Sequence, residues 1–117
     1  MQTIINTKAK EKSTYVITVA FSDENGDALV PKTMKWSLTD TSGTVINARD
    51  QVVVAVPAAS NDIVLSGDDL QIKSLEVSQD TVVRVLIIEA TYNSDLGSDL
   101  SVNDDAGFEI ENLVKIT

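Results

Sequence analysis

Residues 81–92 read TVVRVLIIEATY, the longest stretch of the chain rich in β-branched residues and free of glycine and proline. Taken at every second position it gives two sets: Val82, Arg84, Leu86, Ile88, Ala90 and Tyr92, and Thr81, Val83, Val85, Ile87, Glu89 and Thr91. Both are apolar in the middle, the pattern of a strand with a neighbour on each side and packing on at least one face. At roughly 3.3 Å per residue such a strand spans about 40 Å, the height of a small sandwich. The segment is therefore expected to be the central strand of an all-β domain.

The flanking sequence agrees. Upstream, Tyr15, Ile17, Val19 and Phe21 alternate with Val16, Thr18 and Ala20. Asp23-Glu24-Asn25-Gly26-Asp27 follows as a turn, because Asn-Gly adopts positive φ readily. Met34, Trp36 and Leu38 then alternate with Lys35, Ser37 and Thr39, which sends the only tryptophan inward. Asp40-Thr41-Ser42-Gly43 is a second turn, with Thr44–Asn47 expected to pair back as a short strand. Val52–Val56 ends at Pro57, and Ile63-Val64-Leu65 is a further strand closed by Ser66-Gly67-Asp68-Asp69. Residues 70–80 fit neither the helical nor the strand period, so a corner and a short extra strand stay open there. Asn93–Gly107, crowded with Asp and Gly, reads as a long loop before a last strand through Phe108, Ile110 and Val114. Turn signals every 8–12 residues without a helical stretch indicate an antiparallel sandwich of seven to nine strands. Its expected core includes Ile17, Val19, Trp36, Leu38, Ile88 and Phe108.

Composition narrows the chemistry. The 117 residues suit one domain, divided into an amino-terminal arm or edge strand over 1–12 and a sandwich over 13–117. With no cysteine there is no disulfide or thiolate, and with no histidine the commonest general base and metal ligand is missing. Eighteen acids against nine Lys and Arg give a net charge of −9, which argues against nucleic acid as a partner. The longest apolar run, Val52–Ala59, is too short to span a membrane. Tyr15–Phe21 is interrupted by Thr18 and lacks a small-residue cleavage site, so no secretory signal is read; a processed chain would look the same.

Candidate sites are few. Asp23, Asn25 and Asp27 have the spacing that opens a calcium loop, but Gly26 is at the fourth position instead of the sixth and no Glu follows at the twelfth. A hairpin turn with solvated acids explains the same residues. Asp99 and Asp104, with Asp95 and Asp105, form a second acidic group, readable as a cation site or as a solvated loop. A glycosidase carboxylate pair would need aromatic walls, and the chain has only five aromatics. No catalytic residue and no cofactor is therefore expected. The basic arm, Lys8, Lys10 and Lys12 with Ile4 and Ile5 before them, reads either as a solvated edge or as a docking arm onto an acidic surface of a neighbour.

The order of these segments, a bulky strand, an Asn-Gly turn, a Trp strand, a Thr-Ser-Gly hairpin and a long penultimate strand, looks like an immunoglobulin-like domain. The paired cysteines of that domain are absent, and no tyrosine opens the 81–92 strand to make its corner. The phrases ITVAFSDENGDALVPKTMKWSLTDTSGTVIN, IVLSGDDL, RVLIIEATYNSDLGSDL and FEIENLVKI together resemble small single-domain immunoglobulin-like structural proteins of tailed bacteriophages. The likeness covers most of residues 15–116 and carries no catalytic residues. It implies a non-enzymatic component of the virion, decorating the head shell or attached to the tail, with other virion proteins or copies of itself as partners. The alternative is an adhesin module gripping a glycan or protein on the host surface.

Overall fold

The computed structural model describes the backbone of residues 3–4 and all of residues 8–72 and 80–113. Its centre is the strand β7, Thr81–Ser94. On one side β7 pairs antiparallel with β4 (Thr33–Thr39), from Thr33 opposite Thr91 to Thr39 opposite Val85. On the other it pairs with β8 (Gly97–Glu111), from Thr81 opposite Glu111 to Tyr92 opposite Leu100. The short β5 (Val52–Val53) extends the sheet beyond β4. Beyond β8 run two short parallel strands, β1 (Thr3–Ile4) and β2 (Ala9–Lys10). The second sheet consists of β3 (Thr14–Ala20) and β6 (Ser60–Ser66), paired antiparallel over their whole length. Eight strands among the described residues thus form a two-sheet β-sandwich, antiparallel except at the amino terminus.

The core follows from the alternation. β4 turns Met34, Trp36 and Leu38 inward, β7 contributes Val82, Leu86, Ile88 and Ala90, and β8 adds Phe108 and Ile110. Facing them are Ile17 from β3 and Ile63 and Leu65 from β6. Val19 is only half-buried against this cluster. Tyr15 stacks on Phe108 with ring centroids 5.2 Å apart, joining the two sheets, and burial pushes its phenol pKa up. The inward register of β7 also carries Arg84, fully buried, whose guanidinium donates to the carbonyls of Gln71 (3.1 Å) and Val83 (3.2 Å).

Three expectations need correction. Asn93–Gly107 is not a loop: β7 turns tightly at Ser94–Gly97 and β8 returns from Gly97. The long outer edge of β7 needs a partner for its N–H and C=O groups, and β8 supplies it along nearly its full length. Thr44–Asn47 forms only an isolated bridge between Val45 and Thr39, because the chain turns away at Asn47 and Ala48, both with positive φ. Of Val52–Val56, only Val52 and Val53 are strand, and the Val54 N–H adds one further hydrogen bond to the Met34 carbonyl. In the ambiguous stretch, Gly67–Leu70 is one turn of 3-10 helix, and Leu70 and Ile72 are buried. Residues 73–79 and Val114 lie outside the described residues.

Candidate functional site

The amino-terminal residues meet the body along one line, the outer edge of β8. Thr3 and Ile4 lie opposite Ala106 and Gly107, and Ala9 and Lys10 lie opposite Ile110 and Glu111, all in parallel register. Alternation divides the second contact. Ala9 and Glu11 turn inward and are buried, while Lys8 and Lys10 stay exposed. The two lysines reach acidic residues on the outward side of β8: Lys8 Nζ is 3.8 Å from Glu109, and Lys10 Nζ is 3.2 Å from Glu111. Glu11 closes the joint, its N–H donating to the Glu111 carbonyl and its Oε1 accepting the N–H of Leu113. Lys12, at φ 55°, then turns the chain toward β3, with the Ser13 N–H donating back to the Lys10 carbonyl. Residues 8–11 are therefore docked on the body, not a solvated tether. The side chain of Ile4 and the whole of Ile5 lie outside the described residues.

The acidic candidates do other work. Oδ1 of Asp23 accepts the N–H groups of Asn25 (2.9 Å) and Asp27 (3.0 Å), while the Asp23 N–H donates to the Asp27 carbonyl. The same loop recurs at Asp40, whose Oδ1 accepts from the N–H groups of Ser42 and Thr44. In both, a glycine three residues on, Gly26 or Gly43, takes the positive φ that the turn requires. Asp99 pairs with Lys32 at 2.6 Å, and Asp104 caps the N–H of Asp105. Asp23 and Asn25 do come near the β7–β8 tip, around a cavity of about 400 Å³ that also includes Asp95, and Glu24 accepts a hydrogen bond from Ser94 there. Asp99 and Asp104 are not part of it. Among the described residues, no three acidic side chains converge as a metal ion would require.

Two features escaped the sequence reading. One is Asp69, 2% exposed at the 3-10 turn. Its Oδ1 accepts from Arg49 Nε (2.7 Å) and Asn47 Nδ2 (2.8 Å), and its Oδ2 from the Ser66 N–H (3.2 Å). Burial works to raise this carboxyl's pKa, but those three hydrogen bonds and the Arg49 charge outweigh it and hold the group below its ordinary value. The network pins residues 46–51, where Asn47, Ala48 and Gln51 all have positive φ. The other is a mixed cup of about 440 Å³ at the outer face of the large sheet, lined by Met34, Val53 and Ala90 together with Thr33, Lys35, Glu89, Thr91, Ser101 and Asn103. In it Lys35 pairs with Glu89 at 3.5 Å and donates to Gln51, and the Thr33 and Thr91 hydroxyls lie 2.6 Å apart. Both are built from residues far apart in sequence, and only the register of β4, β7 and β8 could have revealed the cup.

No family model, curated protein or solved structure matches the chain.

Proposed function

We propose that this protein is a non-enzymatic accessory structural protein of a bacteriophage virion, decorating the head shell or attached to the tail. The observation that carries the reading is the way the amino-terminal segment joins the body. It lies along the outer edge of the large sheet, held there by a short parallel pairing and two exposed ion pairs, and this light hold supports its reading as an attachment element. A decoration protein also needs a stiff body that resists non-specific sticking, and a sandwich of net charge −9 meets both needs. The resemblance of its phrases to phage immunoglobulin-like proteins points to a particle, and the edge-docked amino-terminal segment supports a means of joining it. Imaging purified particles that carry a tagged copy tests this, with ordered density expected on the head or tail. Absence of the protein from purified particles overturns it.

A second reading, a module binding host-surface glycan, draws on the polar groups of the cup. Hydroxyls, an amide, a carboxylate and an ammonium on a shallow sheet face suit the hydrogen-bonding groups of a sugar. Against it, none of the five aromatics lines the cup to stack on a sugar ring. Glycan-array binding by the isolated domain that is lost on Asn103→Ala would favour this reading over the first.

A further inference from the structure

We infer that β2 is exchangeable, and that copies of this chain join by laying β2 of one copy on β8 of the next. The inference rests on reading the amino-terminal segment as an attachment element, and it names that element's partner as a second copy of the chain.

Three observations carry it. First, the strand pairing of β2 is with β8 alone, at Ala9–Ile110 and Lys10–Glu111. The pairing, the inward seat of Ala9 and the ion pairs to Glu109 and Glu111 can all be reproduced on a neighbour's β8. Second, the charges are divided so that copies attract through this contact. Residues 1–12 contain three Lys and one Glu, net +2, which leaves −11 on residues 13–117 from the total of −9. Bare bodies repel, whereas a basic strand is drawn to the acidic edge of another body, and the spacing of Glu109 and Glu111 fixes its register. Third, the joint is strained. Lys12 holds φ 55°, a conformation rare for residues other than glycine, within a tight turn closed by the Ser13–Lys10 hydrogen bond. That turn folds β2 back on its own body, so opening it in the exchanged form releases the strain, at the cost of the Ser13–Lys10 hydrogen bond and of the one from the Lys12 N–H to the Leu70 carbonyl. Short strained hinges favour exchange for this reason. Reciprocal exchange between two copies closes as a two-fold dimer, whereas passing the strand on to a third copy gives rings or open rows.

The chain has no cysteine, so single cysteines report the contact cleanly. Two full-length variants, Lys10→Cys and Glu111→Cys, are purified with tags of different mass. They are mixed at high concentration and oxidised gently. A disulfide between the two variants at this strand pair forms only in trans. Exchange predicts that the mixed disulfide exceeds either homodimer by about tenfold. It further predicts that adding Lys12→Gly, which makes the closed turn comfortable, lowers the mixed product several-fold. Mixed and homodimeric products in statistical proportion, or no linked product, overturn the inference. The double variant Lys10→Cys/Glu111→Cys, alone and dilute, verifies that the pair can link by forming an intrachain bond. Because the assay uses purified protein, its failure leaves the particle question open to imaging, and absence from particles does not affect its outcome.

Discussion

Asp69 shows how much one buried charge can organise. It lies beneath a loop with three non-glycine residues at positive φ, and its carboxylate receives donors from that loop at Asn47 and Arg49. Removing it strands a guanidinium whose side chain is 43% exposed, so water recovers part of the loss. Asp69→Ala is expected to cost about 2–3 kcal/mol in urea unfolding at neutral pH, toward the lower end for a broken buried pair. The pH dependence follows from the direction of the shift. A carboxyl whose pKa is lowered on folding contributes stability above its unfolded pKa, and that contribution disappears as pH falls through the folded value. The gap in stability between wild type and Asp69→Asn should therefore stay constant at neutral pH and narrow only below the ordinary carboxylate range. A gap that closed near neutrality would contradict the network. Trp36 is the apolar counterpart, 8% exposed between the sheets. Trp36→Ala should cost on the order of 3–5 kcal/mol, and native Trp36 emission should shift red on unfolding.

At the scale of elements, the two aspartate loops give a prediction that separates turn from metal site. Asp23 and Asp40 use the same Oδ1 acceptance of two backbone N–H groups. Alanine at either position should cost about 1 kcal/mol, whereas asparagine, which keeps the oxygen, should remain within about 0.5 kcal/mol of wild type. Gly43→Ala has open space around it but must hold φ near 90°, so it too should cost about 1 kcal/mol. These loops were legible in the sequence because their chemistry is local. β4 was legible because its inward set is apolar throughout, and β7 because both of its sets are apolar in the middle. β8 was obscured by Asp95, Gly97, Asp99, Asp104, Asp105 and Gly107, which mimic a loop. Yet Leu100, Val102, Ala106, Phe108 and Ile110 recur at even positions, and only Asp104 breaks the set. β8 tolerates such residues because β1 and β2 cover its outer edge only from Ala106 onward, and much of its outward face is wet. Arg84, Glu11 and Asp69 were not legible as buried residues, since a charge within a pattern ordinarily marks the solvated side. Only partners distant in sequence reveal otherwise.

For the whole molecule the question is which electrostatic effect dominates, the ion pairs or the self-repulsion. The described residues form five ion pairs, and in four of them both side chains are more than a third exposed. Such pairs are worth about 0–1 kcal/mol each, and salt weakens them. Against them stands a net charge of −9 on a body about 25 Å across its short axes. At about 10 mM salt the Debye length is about 30 Å, longer than that width, so like charges across the body act on one another. Self-repulsion on that scale opposes the compact state and is relieved by screening. Raising sodium chloride from about 10 mM to 0.5 M should therefore increase the melting temperature by a few degrees in scanning calorimetry. A fall would show that the surface pairs outweigh the net charge. Calcium provides the control: at matched ionic strength, millimolar calcium should add no step that chelator reverses and that Asp23→Asn or Asp104→Asn removes. A reversible calcium step abolished by either variant would instead assign the acidic turns a ligand role that their hydrogen bonds do not require.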